Sequence, residues 1–341
     1  MYKVIIDGMG GDNAPNATVK GSVLAVNKDK ELHVVIVGDE NKIKKLLDQE
    51  KYNPDQISII NATDVITNDD TPTVAIRQKT ESSLVKTINE LRTNEEVVGM
   101  VSGGSTGAVL TGAFLKLGRL QGVSRPALCP ILPTKKGGIV AICDCGANMD
   151  AKPINLVHFA LMGNAYLKNV FGIEKPRIAL LNVGVEEHKG NELCKAVYPL
   201  LKDLEGINFV GNMEARELLS GDYDLVVTDA FAGNVLLKSS EGAILALLSM
   251  LKKEIKSSFW SKIGYLFMKK SFNNLKGVLD YNTKGGACLL GCKKLVIKSH
   301  GSSSAESFCA SIMQVVEAHK ADVVNSIAKD IENVHLDIEN E

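Results

Sequence analysis

Seven cysteines give no C-x-x-C pair, and the chain has neither H-E-x-x-H nor a Gly-Lys dipeptide. An odd cysteine count without that pair argues against a disulfide framework or a zinc ribbon. Reduced thiols in a cytoplasmic compartment are expected instead. Without Gly-Lys there is no Walker A loop. No G-x-G-x-x-G follows the first strand, where Asp7 and Asp12 would repel a pyrophosphate. No cofactor and no metal is implied. Aromatic residues make up only 5%, too few for a base-stacking platform. Charge of one sign is lacking as well. With 39 Lys and Arg against 40 Asp and Glu, the net charge of −1 offers no general basic field for nucleic acid. The long uncharged stretch from Val97 to Leu115 is full of Gly, Ser and Thr, so no spanning helix is expected. Strand-like Lys3–Asp7 leaves no room for a signal peptide.

What is present is a 341-residue chain, 45% hydrophobic and 23% charged, as in a globular protein with a large core. Strand patterns fall at Lys3–Asp7, His33–Gly38, Ile57–Asn61, Val97–Ser102, Arg177–Asn182 and Leu225–Thr228. Helical patterns lie between them, at Ala17–Val26, Lys42–Gln49, Ser82–Arg92, Thr106–Leu117, Lys152–Lys168 and Leu193–Lys202. Apolar strands alternating with helices predict a parallel sheet covered on both faces. Two stretches read as hairpins: Pro126–Pro133 with Gly138–Asp144, and Leu289–Lys298 turning near Gly291. No linker or repeat interrupts the pattern, so residues 1–341 are expected to form one α/β domain.

Gly-containing polar loops follow the strands, where open α/β sheets bind ligands. They run Asp7-Gly8-Met9-Gly10-Gly11-Asp12-Asn13, Ser102-Gly103-Gly104-Ser105-Thr106-Gly107, Asp144-Cys145-Gly146-Ala147-Asn148, Glu186-Glu187-His188-Lys189-Gly190-Asn191, Asp229 to Asn234, and His300-Gly301-Ser302-Ser303. Gly103–Gly107 matches the G-x-S-x-G nucleophile elbow, with Asp229 and His300 following in hydrolase order. A serine hydrolase or thioesterase using Ser105, Asp229 and His300 is therefore one reading. The other is an anion site, in which the Gly103–Gly107 amides at a helix start hold phosphate. Lys189 would add charge and Asn234 a neutral donor, unless Lys189 is merely solvated and Asn234 merely caps a helix. Cys143, Cys145, Cys288 and Cys292 read as small core residues, and His158 as a buried, satisfied histidine.

Net neutrality conceals a basic segment. Lys252 to Lys276 holds seven Lys and one Glu, while the chain from Ala321 on holds six acids and one Lys. Within the basic stretch, Phe259, Trp260, Ile263, Leu266 and Phe267 cover one helical arc of about 120°. Ser257-Ser258 marks a break between two helices. The stripe suits a packing face, an anionic membrane surface or an acidic protein partner.

Taken together, these loops resemble those of the PlsX-type phosphate acyltransferase family. The resemblance runs from Asp7–Pro15 to His300–Ser303 and includes Glu187–Glu192, Asp229–Asn234, Asp280-Tyr281 and Gly285-Gly286-Ala287. The family usually has Ala, Ala, Asn and Val where this chain has Gly8, Gly103, Ser105 and Cys145. With Asn standing at the Ser105 position in relatives, that hydroxyl is not an obligatory nucleophile.

The resemblance implies a three-layer α/β/α, Rossmann-like, mostly parallel sheet with an inserted amphipathic helical hairpin at about 243–276. It implies transfer of a fatty acyl group from acyl-acyl carrier protein to inorganic phosphate. It further implies a homodimer that is cytoplasmic and peripherally membrane-associated, in contact with a downstream membrane acyltransferase. Lys189, Asn234, Asp229 and His300 become the catalytic candidates. Asp7, Gly10, Asp12, Ser102, Gly104, Ser105, Thr106, Gly107, Asn148, Asn191, Gly301 and Ser302 become the phosphate or substrate candidates. Phe259, Trp260, Ile263 and Phe267 are the membrane-contact candidates.

Overall fold

The computed structural model describes residues 2–279 and 285–332, with backbone alone at 273–276, 278 and 279. Asp280-Tyr281, part of the resemblance, lies outside the described residues. Seven strands build a first sheet: β1 (Tyr2–Asp7), β2 (Leu32–Gly38), β3 (Ile57–Asn61), β4 (Val97–Ser102), β5 (Ala127–Cys129), β11 (Ala287–Leu290) and β12 (Leu295–Lys298). Their spatial order is β3-β2-β1-β4-β12-β11-β5. From β3 to β12 the neighbours are parallel; β11 runs antiparallel to both β12 and β5. A second sheet contains β6 (Ile131–Pro133), β7 (Ile139–Cys143), β8 (Arg177–Asn182), β9 (Asn208–Glu214) and β10 (Leu225–Val227), in the order β6-β7-β10-β8-β9. Only its β6–β7 pair is antiparallel.

The helices are α1 (Asn16–Lys28), α2 (Glu40–Leu47), α3 (Pro72–Gln78), α4 (Ser83–Thr93), α5 (Thr106–Gly112), α6 (Pro153–Phe171) and α7 (Glu192–Lys202). They are followed by α8 (Ala230–Ser257), α9 (Phe259–Leu279), α10 (Ala305–Lys320) and α11 (Val323–Glu332). α5 runs on as a wider π turn over Ala113–Leu117. Caps set several starts: Asp39, Ser82, Asn191, Asp229 and Ser304 each accept a backbone N–H from the first turn of the following helix.

The alternation of strands and helices is as the sequence predicts, and both hairpins form. The expected single sheet, however, divides in two at Pro130. That residue has no N–H for a ladder, and its carbonyl accepts from Ile142. Upstream, Cys129 pairs with Cys288 of the first sheet; downstream, Ile131 pairs with Ala141 of the second. One apolar cluster spans both sheets, from Val4 and Ile36 through Phe159 and Tyr166 of α6 to Leu180 and Leu225.

The helical hairpin is longer than the basic segment. α8 starts at Ala230, its first turns buried through Ala230, Gly233, Leu236 and Leu237, and the break at Ser258 is as expected. By length and composition α8 could cross a membrane, which the sequence pattern did not suggest, although 17% of its most apolar window is buried in the fold.

Candidate active site

The order β2-β1-β4 puts the reversal of strand order between β1 and β4, and the loops after these strands meet there. Asp7, 2% exposed, ties them together. Its carboxylate accepts from Ser83 Oγ at 2.6 Å and Ser102 Oγ at 2.8 Å, and Ser102 Oγ accepts from the Gly104 N–H at 3.1 Å. A Cβ on Gly10 would lie 2.3 Å from Asp7 Oδ2 and 2.8 Å from the Gly104 nitrogen. Only glycine permits that approach. Burial raises the Asp7 pKa; the serine hydrogen bonds and nearby Lys298 oppose the rise. Asp7, Gly10, Ser102 and Gly104 therefore build the cleft's frame. The neighbouring loop is stitched on by Asp12 N–H to the Gly301 carbonyl at 2.8 Å, and by Asn13 to the Ser302 and Ser303 carbonyls.

Two compartments open on this frame. A polar one of about 480 Å³ is bordered by Asp12, Gly104, Ser105, Thr106, Lys238, Lys298, His300 and Gly301. An apolar one of about 440 Å³ is walled by Leu110, Leu128, Ile131, Leu132 and Leu237, with Asn234 and Gly107 on its lining. Thr106, Lys238, Lys298 and His300 border both.

Lys298 was not among the sequence candidates. It ends β12, opposite Ser102 of β4, and is 8% exposed. Its ammonium donates to the Ser299 carbonyl. Burial brings its pKa down to about 8, with Asp7 and Asp12 pulling upward and Lys238 downward. The available signal was a lysine closing an apolar strand immediately before Ser299-His300-Gly301. The His300 ring lies 2.8 Å from Ser302 Oγ, and burial first, then Lys238, lowers its pKa. Lys238 pairs with Glu241 at 2.7 Å.

The profile of a family described as "Fatty acid synthesis protein" matches residues 2–326. Phosphate acyltransferases of Clostridium tetani and Clostridium acetobutylicum are 44% and 45% identical over 332 residues, covering 97% of this chain and 98% and 99% of theirs. The chain belongs to the phosphate acyltransferase family. It is an acyltransferase by that membership. In fold it is similar to a phosphotransacetylase from Streptococcus pyogenes (TM-score 0.55, 17% identity, covering 97% of this chain and 94% of that one). A branched-chain phosphotransacylase from Enterococcus faecalis is similar as well (TM-score 0.56, 15% identity, covering 98% and 100%).

The other candidates of this acyltransferase do not all reach the cleft. Asp229 caps α8, accepting from the Ala232 N–H at 2.9 Å, so Asn234 is released from capping to line the apolar compartment. Asn191 caps α7 through the Cys194 N–H at 2.9 Å. Asp229 and Asn191 border a separate apolar cavity of about 460 Å³ with Val183, Phe231 and Val235. Lys189 is exposed on the adjoining loop, where its backbone carbonyl accepts from Asn182. It borders neither cleft compartment. The Asn148 amide donates to Asp144 and to the Pro126 carbonyl, which fixes the 144–148 loop and faces it elsewhere. Ser105 and His300 share the polar compartment, but Asp229 does not join them.

Burial drives up the thiol pKa values of Cys143, Cys145, Cys288 and Cys292, the last to about 12, as befits packing residues. His158 accepts from the Ser124 N–H at 3.1 Å. On α9, Phe259, Trp260 and Phe267 are exposed, Phe267 by 87%; Ile263 is half-buried.

Proposed function

We propose that the cleft moves a fatty acyl group from acyl-acyl carrier protein to inorganic phosphate, releasing acyl phosphate for phospholipid synthesis. One observation carries this reading: a cationic polar compartment and an apolar compartment share a border at Thr106, Lys238, Lys298 and His300. Phosphate fits the first, and the acyl chain fits the second. The reacting carbonyl then lies at their junction, where Asn234 can donate to its oxygen.

Phosphate is its own nucleophile, so the protein's task is to hold it, screen its charge and stabilise the tetrahedral oxyanion. Lys298 and Lys238 neutralise phosphate, with Ser105, Thr106 and Gly301 around it. A phosphate oxygen bonds to the carbonyl carbon, the carbon–sulfur bond breaks, and the proton of the phosphate dianion ends on the thiol. His300 offers a hydrogen bond to the departing sulfur. Lys189 and Asp229 keep their proposed catalytic part through the family pattern alone, since neither borders the two cleft compartments. The exposed aromatic and basic hairpin suits reversible contact with an anionic membrane by a cytoplasmic homodimer.

Purified chain should convert acyl-carrier-protein thioester to hydroxylamine-trappable acyl phosphate only when phosphate is present. Phosphate-independent release of fatty acid, abolished by Ser105→Ala, would instead establish the hydrolase.

A further inference from the structure

Across Leu110 from the cleft lies another cavity, of about 340 Å³, between α3, α5 and the loop leading into β5. Leu110 borders both cavities. The 145–149 loop also serves both, with Cys145, Gly146 and Met149 on the cleft side and Ala147 and Asn148 here. The groove is therefore one side chain away from the compartment assigned to the acyl chain. Its rim carries Arg77 and Arg125, and no acidic residue lines it. Arg125 stacks over Phe114 with its guanidinium 5.8 Å from the ring centroid. Arg119 reaches the residue before Arg125, its guanidinium donating to the Ser124 carbonyl, and the Lys293 N–H donates to the Gly118 carbonyl. None of these four cations has a carboxylate partner among the described residues. Val74, Phe114 and Leu115 stand exposed beside them.

The groove thus joins a cationic rim to an open apolar floor beside the acyl compartment. We infer that this groove docks the acidic carrier protein that delivers the acyl thioester. The inference rests on the acyl-transfer reading above. Cationic rim residues steer an acidic surface and set its register, while Phe114 and Leu115 supply the apolar anchor. The thioester arm then enters past Leu110. A second copy of this chain suits the surface poorly, because a two-fold contact centred here would bring the arginines of both copies into one interface whose lining holds no carboxylate to offset them.

The test is the double variant Arg77→Glu/Arg125→Glu, beside Arg77→Gln/Arg125→Gln in case charge reversal perturbs folding. Binding of apo carrier protein, which carries no acyl group, is measured by titration. KM and kcat are measured with the acylated carrier. The expected result is carrier affinity weakened at least about tenfold, KM raised to match, and kcat within about twofold. Added salt should weaken carrier binding in the native chain far more than in the variants. Unchanged carrier binding overturns the inference. So does a fall in kcat with KM unchanged, which would put the arginines at the chemistry, or a loss of self-association with carrier binding intact. If the native chain binds carrier through these arginines yet makes no acyl phosphate, the docking surface stands and the acyl-transfer reading fails.

Discussion

The two faces of the first turns of α8 make unlike compartments from one stretch of sequence. Asn234, Leu237, Lys238 and Glu241 look toward β12 and α5, where Lys298 and His300 wait. Phe231, Ala232, Val235 and Ser239 look toward Asn182, Asn191 and the exposed Lys189 loop. The first face joins buried charge to an apolar wall; the second is almost wholly apolar. A lysine held in a dry cleft interacts strongly with an anion, whereas an exposed one is screened by water and salt. On the proposed reading Lys298 therefore outranks Lys189 as the cation for phosphate.

The largest effect should come from Lys298→Met, which should lower kcat/KM for phosphate by about 10³-fold or more, measured by hydroxylamine trapping. The same change should stabilise the fold. Because the folded pKa of about 8 is below the unfolded value near 10.4, protonated Lys298 costs stability below pH 8, and that cost fades as pH rises through 8 to 10.4. At pH 7, denaturant titration of Lys298→Met should show a gain of about 1–3 kcal/mol. In the native chain KM for phosphate should climb as pH rises through about 8, and Lys298→Arg should remove that limb.

Next is Asn234→Ala, with kcat lowered about 10²-fold and little change in KM, as for a lost oxyanion donor. Lys189→Ala should cost about tenfold in kcat without altering thermal unfolding, as for one exposed, screened charge. A larger loss than for Lys298→Met would reverse the ranking of the two faces. The smallest effect on chemistry belongs to Ile263→Glu/Phe267→Glu. Turnover in solution should hold within twofold while sedimentation with anionic vesicles is lost; vesicle binding that survives would return the stripe to packing.

Much of the frame was legible in the chain. β1 to β4, β8 and β10 announce themselves as apolar runs closed by polar, Gly-bearing loops, and Ser257-Ser258 marks the hairpin's turn. β9 was not visible, because Asn208, Gly211, Asn212 and Glu214 break the apolar run and Gly211 sits at φ +97°. At the site, Asp7, Gly10 and Gly104 were found through their loops, but as ligands to substrate rather than as a frame. Asn148 and Asn191 were found by the same reasoning, and turned out to be holding a loop and capping a helix. A polar side chain at a strand end carries the same letter whether it faces substrate or backbone.

The chain alone determined its strand-and-helix alternation, the Gly contacts between the loops after β1 and β4, its family and its basic hairpin, because these follow from local pattern and spacing. Tertiary structure decided which polar groups share a cavity. β12 lies between β4 and β11, so Lys298 is drawn out of water beside Asp7, while Lys189 stays at the surface beyond α8. Burial and charge proximity depend on strand order and helix facing, and neither is encoded in the identity of a single residue.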